Sequence, residues 1–417
     1  MSEPSRRVST DYSAFMDDEG SLSPVAQDLL SLAQEAYLKD REIPRGSSPD
    51  DPRWRRTLSL EVPVRLWDVW RSPDVSQAVV SLLDWLTDDT WAVTWTRHAQ
   101  SRDSGQSRLS LPGPEREVML FSGGLDAVAG AATLLPERDL LAVGIATNWV
   151  MQGYQFRTLS SLRKARLGSL ESRLIQFSVV RGKRDSEPTR RTRGLVFLAV
   201  GAAVALQQGR QRCVMAENGV GAINLPLTSA QSGAMTSRSA HPRTLRKFSE
   251  LVQLLTQQPF DFAAPFMTMT KGEMVAKLPE AARDACNASE SCDRAASGRG
   301  ALERRCGYCT SCLLRRMSFS AADRANWDTR PYLADTRPDV ELSRQPEMLW
   351  QAAELDRALR RGGRDELVRA FPDLVQVPTE DLTYDEQRRL LNAYVDEWRR
   401  YPAPAIRQYL TQTPLEG

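Results

Sequence analysis

The stretch Val118-Met119-Leu120-Phe121-Ser122-Gly123-Gly124-Leu125-Asp126 decides how this chain is read. Four apolar residues run into Ser-Gly-Gly, and the small residues from Ala127 to Ala132 follow. The pattern predicts a strand, a tight glycine turn and a helix. Such a turn aims backbone N–H groups and the positive end of a helix dipole at one point, where an anion can sit. The segment lacks the Lys-Ser/Thr ending of a Walker A loop and the third glycine of a dinucleotide fingerprint. A Ser-Gly-Gly turn after a strand is also often only a turn, so its meaning depends on the rest of the chain.

Outward from the turn, residues 117–275 alternate strand and helix. Strands are predicted at 118–121, 140–145, 173–180, 213–216 and 262–266, and helices at 127–135, 154–169, 194–208 and 242–256. Glu217-Asn218-Gly219-Val220-Gly221 reads as a loop ending the fourth strand. This alternation predicts an α/β fold with a mostly parallel sheet covered on both faces. Ligands of such sheets bind at the carboxyl ends of the strands, where the Ser122–Asp126 turn and the Glu217–Gly221 loop both fall.

Upstream, a polar segment 1–20 is expected to fray. A helix beginning near Val25, a loop at 44–53, a strand at 57–64, a helix at 74–87 and a strand at 91–95 make a small α+β unit, closed by the polar stretch 97–115. Its tryptophans, Trp54, Trp67, Trp70, Trp85, Trp91 and Trp95, read as core rather than as a stacking platform for bases. Residues 317–417 read as mainly helical, with Leu390, Leu391, Tyr394 and Trp398 spaced along one face. The expected domains are an accessory unit at 1–115, a nucleotide-binding domain at 116–285, a cysteine lobe at 286–330 and a helical region at 331–417.

The 417 residues carry 55 basic and 53 acidic side chains, a net charge of +2. That balance gives no general pull toward nucleic acid or an anionic membrane. No run of 18 apolar residues occurs, and Met-Ser-Glu-Pro-Ser-Arg-Arg lacks an apolar signal core, so a cytoplasmic protein with no membrane partner is expected.

Five of the six cysteines lie within 27 residues, Cys286 to Cys312. Clustering of this kind in a reducing compartment favours metal over disulfides. Cys306-Gly307-Tyr308-Cys309-Thr310-Ser311-Cys312 presents three thiolates on two-residue spacers, and Cys292 lies fourteen residues upstream. Four thiolates at this spacing suit a closed, structural Zn2+ site. Cys286 is the alternative to Cys292 as fourth ligand. Cys213, in a predicted buried strand, reads as core.

With both motifs in hand, the chain resembles a known group. Ser122–Asp126 is similar to the S-G-G-x-D-S PP-loop of ATP pyrophosphatases. Ser291-Cys292 with Cys306–Cys312, Thr270-Lys271-Gly272-Glu273-Met274-Val275 and Arg193–Leu198 resemble, in order, further segments of the QueC (7-cyano-7-deazaguanine synthase) family. The resemblance covers roughly residues 115–330 and implies a PP-loop fold of the adenine nucleotide alpha hydrolase-like type. Outside that span, the added N-terminal unit and helical C-terminal region are similar to the QueC-like proteins of anti-phage defence operons, QatC of Qat systems and the QueC-like subunit of type IV CBASS.

The resemblance implies ATP-dependent chemistry on a deazapurine carboxylate such as 7-carboxy-7-deazaguanine. The carboxylate becomes an acyl-adenylate, and an amine, from ammonia or from a partner protein of the operon, then displaces AMP. Ser122 and the N–H groups of Gly123, Gly124 and Leu125 are expected to receive phosphate oxygens, Asp126 to hold Mg2+, Lys271 to face the β and γ phosphates, and Arg193 to bind a carboxylate or phosphate. Plainer roles stand beside these: a helix cap for Asp126, a solvated lysine for Lys271 and a charged loop with Arg190 and Arg191 for Arg193. Glu217, Asn218, Gly219 and His241 are expected at the substrate, against a plain loop and a helix start.

One departure is Ala127 where the PP-loop carries its last serine. It leaves open a chain that binds nucleotide without cleaving it. A third reading, a PP-loop enzyme modifying tRNA, needs a reactive cysteine, for which Cys213 is the candidate outside the cluster. The near-neutral charge argues against that substrate.

Overall fold

The computed structural model describes residues 8–10, 22–46, 51, 54–98, 115–179, 187, 191–227, 238–296, 304–335 and 345–401. Most of the 97–115 stretch, part of the 44–53 loop, most of the N-terminal twenty residues and Arg190 lie outside the described residues. In chain order the elements are β1 (Val8–Thr10), α1 (Pro24–Glu42), β2 (Thr57–Val64), α2 (Trp67–Trp70), α3 (Pro73–Thr87) and β3 (Thr90–Arg97). Then come β4 (Glu117–Leu120), α4 (Leu125–Leu134), β5 (Leu140–Ala146), α5 (Trp149–Lys164), β6 (Leu170–Val179), α6 (Arg193–Gln207), β7 (Arg212–Met215), α7 (Gly219–Ile223), α8 (Pro242–Thr256), β8 (Asp261–Ala263) and α9 (Lys271–Ala276). The remaining helices are α10 (Arg283–Ala288), α11 (Asp293–Ala296), α12 (Thr310–Ala321), α13 (Gln345–Arg361), α14 (Arg364–Ala370) and α15 (Tyr384–Arg400).

Six strands form one sheet in the order β1-β6-β5-β4-β7-β8. The five from β6 to β8 are parallel, and β1 pairs antiparallel with β6 at the edge. The continuous apolar strands are buried on both faces, as parallel strands must be. Val118, Leu141, Val143, Ile145 and Cys213 face a core shared with α1, α3, α6 and α8. Their neighbours Met119, Leu140, Ala142 and Val214 face the opposite core, shared with α4, α5, α9 and α10. The chain runs from β4 outward through β5 to β6, then returns to place β7 on the other side of β4. That reversal opens a crevice at the carboxyl ends of β4 and β7, where open parallel sheets bind their ligands.

Four details differ from the sequence expectation. Val8–Thr10, inside the segment expected to fray, is strand β1. Helix α5 starts at Trp149 rather than 154, because the Asn148 side chain caps it by accepting from the Met151 N–H at 2.9 Å. The last strand stops at Ala263, before Pro265, which has no N–H to offer a ladder. The Glu217–Gly221 loop is partly helical: Asn218 caps α7 and accepts from the Gly221 N–H at 3.0 Å.

The N-terminal elements build a parallel β2–β3 pair joined through α3. Leu58, Leu60, Val62 and Val64 alternate inward into the same core as Val118 and Ile145. Trp70, Trp85 and Trp91 are buried there. Beneath this core lies a charged knot. Arg56 donates to Asp40 and to Asp89, each at 2.6 Å, and Arg45 donates to Asp89 at 2.7 Å. The Thr192 hydroxyl donates to Asp40 at 2.8 Å and joins the knot to the start of α6. Removing one member strands opposite charges in a dry interior, at a cost of about 3–5 kcal/mol. Asp89→Ala should therefore lower the urea unfolding midpoint strongly, whereas Glu61→Ala, at an exposed position of β2, should leave it in place.

Candidate functional site

The glycine turn begins where β4 ends. Gly123 has φ of +80°, a left-handed conformation that side chains rarely adopt. Its carbonyl accepts from the Glu290 N–H at 2.9 Å. The buried Gln155 amide donates to Ile145 O at 3.1 Å and reaches the Phe121 and Ser122 carbonyls at 3.4 Å, so α5 supports the turn from behind. The first helical hydrogen bond of α4 runs from Val128 N–H to Gly124 O. The amides of Leu125, Asp126 and Ala127 therefore precede the helical ladder, as the first amides of any helix do.

Asp126, in the first turn of α4, meets the residues expected beside it. The Lys271 ammonium lies 2.7 Å from Asp126 Oδ2, and the Asn218 side-chain amide donates to the same oxygen at 3.2 Å. The amide also donates to Glu217 Oε1 at 3.0 Å. Lys271 is placed by its neighbour: Thr270 caps α9 in a reciprocal capping box with Glu273. Burial pushes the Glu217 carboxyl well above the usual carboxylate range, and the nearby Asp126 charge adds to this while Lys271 opposes it. Burial alone would lower the Lys271 ammonium, but Asp126 and Glu217 outweigh it and the net shift is upward. Asp126 Oδ1 is buried and has no hydrogen-bond partner among the described residues. Two adjoining carboxyls, one with an open oxygen, form a donor set suited to a hard divalent cation.

These groups line a cavity of about 580 Å³. Ser122, Gly124, Leu125, Asp126 and Ala127 form one side, and Arg193, Glu217, Asn218 and Lys271 another. Arg193 is the first residue of α6, stacked over Phe197 with its guanidinium 5.2 Å from the ring centre. Glu290, Ser291, Thr310 and Ser311 from the cysteine lobe also line it, as do Gln351, Tyr394 and Glu397 from the C-terminal helices.

Three expected site residues are placed differently. Gly123 turns the chain behind the cavity wall rather than lining it. Gly219 faces the protein interior, where a Cβ would come within 1.9 Å of the Met267 carbonyl oxygen. His241 caps α8, with Nδ1 accepting from the Arg243 N–H at 3.2 Å, and packs its ring on Trp85. It does not line the cavity, and burial, helped by Arg238 and Arg243, depresses its pKa to about 3. A neutral, capped imidazole here serves the helix. Arg191, expected in an ordinary charged loop, is buried and donates to Thr87 O at 2.8 Å and to Asp88 at 3.0 Å.

Cys292, Cys306, Cys309 and Cys312 are buried, with all four sulfurs within 4.8 Å of one another. Cys306 and Cys312 sulfurs are 3.7 Å apart. A regular tetrahedron with Zn–S near 2.3 Å has sulfur edges of about 3.8 Å, so the donor set and its spacing fit zinc. Cys286 is separate: it packs in the apolar core beneath α4, and burial pushes its thiol up to about 12. Cys213 is also fully buried, on β7, and burial pushes its thiol upward.

The cluster is fastened to the cavity. Glu290 Oε1 accepts from the Cys292 N–H at 2.8 Å, while the Glu290 backbone holds Gly123. Beneath it, Arg315 and Arg305 are fully buried around Asp328 at 3.0 and 2.6 Å. Burial raises the Asp328 carboxyl, but the two guanidiniums prevail and hold it below the usual range. The sequence reading missed Gln155, Glu290 and Glu397. Glu290 has a signal in its place beside Ser291-Cys292, and Glu397 in being an acid inside the Leu390–Trp398 apolar stripe. Gln155 has none.

Residues 188–323 match the family model of the queuosine biosynthesis protein QueC. The QueC-like segment contains Arg193, Glu217, Asn218, Lys271 and the four cysteines, and it supports an ATP-using, ligase-like enzyme. It starts after the glycine turn, so the turn joins the site through its contacts with Lys271, Asn218 and Glu290. No curated protein matches the chain. Among the described residues, no helix is long and apolar enough to cross a membrane.

Proposed function

We propose that this chain is a PP-loop ligase of the QueC type, which adenylates a deazapurine carboxylate such as 7-carboxy-7-deazaguanine and passes the acyl group to an amine. The observation that carries this reading is the Lys271–Asp126 pair, which sits between the glycine turn and the Glu217–Asn218 segment at the sheet's crevice.

The substrate carboxylate attacks the α-phosphorus of ATP, and the bond to the bridging oxygen of the β-phosphate breaks. Charge then gathers on the departing pyrophosphate. Ser122, the first amides of α4, and Lys271 are fixed in advance to receive it, which is how an active site lowers such a barrier. Arg193 faces the cavity as a planar, permanent cation for a carboxylate or phosphate. Asp126 and Glu217 would hold Mg2+, which neutralises phosphate charge when bound. The four cysteines would hold structural Zn2+, keeping Glu290 against Gly123. An amine then attacks the acyl carbon, and AMP leaves.

The N-terminal and C-terminal regions add surface to this core, in keeping with a cytoplasmic role in anti-phage defence and an acceptor amine on an operon partner. Incubation with Mg-ATP, 7-carboxy-7-deazaguanine and ammonium should release AMP and pyrophosphate in equal amounts. Intact-mass measurement of co-expressed operon partners separates a protein acceptor from ammonia. Ala127, buried at the cavity wall without a hydroxyl, supports a second reading, a nucleotide sensor. Recovery of intact ATP alone would favour it. The tRNA reading loses its thiol, since Cys213 is a strand residue of β7 with its side chain buried in the core.

A further inference from the structure

Two carboxylate oxygens of the cavity are buried without a hydrogen-bond partner among the described residues, Asp126 Oδ1 and Glu397 Oε2. Buried polar atoms are nearly always paired, so an orphan at a cavity wall points to a missing ligand or a chemical role. Asp126 is accounted for by the phosphate end. Glu397 comes from α15, outside the QueC-like segment, and is 3% exposed.

Its position is built with care. The Thr270 hydroxyl donates to Glu397 Oε1, so the acid abuts the turn that presents Lys271. The space it occupies exists because residue 272 is glycine: a Cβ there would come within 2.3 Å of Glu397 Oε1. Beside it the Tyr394 hydroxyl donates to Gln351 Oε1 at 3.0 Å, and the Gln351 amide is spent on Leu225 and Pro226 carbonyls. Neither is left to serve the second oxygen.

We infer that Glu397 accepts the proton released when the amine attacks the acyl-adenylate. The inference rests on the ligase reading. The nitrogen lone pair forms the C–N bond, the C–O bond to AMP breaks, and the surplus N–H proton moves to Glu397 Oε2. The other cavity carboxyls are engaged: Glu217 by Asn218, and Glu290 by the Cys292 N–H and by Arg330 at 2.5 Å. Burial raises the Glu397 carboxyl to about 7, suited to taking a proton near neutrality. The charged groups around it are Glu273 on α9, itself paired with Arg389, and Arg400 on its own helix, while Lys271 adjoins Gly272, against which the carboxyl packs. The Glu273 charge adds to the rise, and the Thr270 bond, Arg400 and the Glu273 backbone N–H oppose it.

The test uses the full chain and Glu397→Gln, which keeps an acceptor for Thr270. Pyrophosphate–ATP exchange with 7-carboxy-7-deazaguanine reads adenylation, and amide formation from ammonium reads transfer. The variant should exchange within about 2-fold of the parent and form amide about 100-fold more slowly or worse. At constant free ammonia, the parent's transfer rate should climb with pH to a plateau above about 7, and this inflection should vanish in the variant. Equal loss of exchange and transfer, or an unchanged transfer rate, would overturn the inference. If the parent shows no exchange, the ligase reading fails separately. Infrared difference titration of parent against variant then still decides: a carboxyl midpoint near 7 supports a poised proton acceptor, and one in the ordinary carboxylate range excludes it.

Discussion

Asp126→Asn is expected to cut ATP cleavage by about 100- to 1000-fold while the fold stands, the usual scale for losing one charged transition-state contact. The substitution keeps the shape of the side chain and changes what it can do. Asp126 Oδ2 accepts from Lys271 and Asn218, and Oδ1 is buried without a hydrogen-bond partner among the described residues. An amide retains one acceptor, offers no charge to a divalent cation and leaves Lys271 without its nearest partner. The carboxyl of Glu217 should respond. It is raised by burial and by Asp126, with Lys271 pulling it down, so removing the Asp126 charge should lower it. Glu217 would then ionise more readily and take over part of the pairing with Lys271. Glu217→Gln added to Asp126→Asn should accordingly cost more than the sum of the two single effects. AMP release gives the rates, and equilibrium binding of a non-hydrolysable ATP analogue separates binding from cleavage. Undiminished AMP release from Asp126→Asn would remove the glycine turn from the chemistry.

The second large effect is expected at the cysteines. The purified chain should carry about one zinc, and Cys309→Ser should lose nearly all of it, because a closed site needs its four donors. Four thiols whose sulfurs lie within 4.8 Å of one another have no cation to neutralise them once the metal is gone. Folding energy goes with the metal: apparent binding free energies of structural zinc in small domains are about 10–16 kcal/mol. The loss should travel inward. Glu290 joins Cys292 to Gly123, and Thr310 and Ser311 line the cavity from the first turn of α12. Chelation or Cys309→Ser should therefore abolish ATP binding as well as lower thermal stability. Cys286→Ala should retain the zinc, since that thiol packs in the apolar core. Metal content by mass spectrometry and binding by calorimetry check both statements. A zinc-free Cys309→Ser protein with full ATP affinity would show that the lobe and the turn are independent.

Glu397 also gives the protein a pH signature of its own. Its folded pKa, about 7, lies above the unfolded carboxylate value. Such a group adds stability below the unfolded pKa, and that contribution is lost as pH rises through 7. Glu397→Gln should flatten this part of the stability curve.

Much of the site can be read in the sequence because its signals are local. Val118–Asp126 is a strand, a left-handed glycine and a helix start within nine residues. Cys306–Cys312 places three cysteines on two short spacers. The strand–helix alternation between 117 and 275 fixes a parallel sheet because apolar runs of that length need cover on both faces. Lys271 is marked by its capping threonine. What the sequence misassigned were residues whose roles depend on what stands opposite them. His241 looks like a substrate contact until Trp85, far upstream, is seen against its ring. Gly219 reads as a binding-loop glycine, but the Met267 carbonyl is what requires it.

The sequence by itself therefore determined the sheet, the glycine turn and the cysteine cluster, all set by neighbours a few residues apart along the chain. Only the tertiary structure decided that α15 returns to lay Glu397 over Gly272, that Glu290 ties the cysteine lobe to Gly123, and that Gln155 props the turn from behind. Those contacts join segments far apart in the chain, as Glu290 and Gly123 or Thr270 and Glu397 show. They depend on how separate apolar faces pack, and no local spacing encodes that.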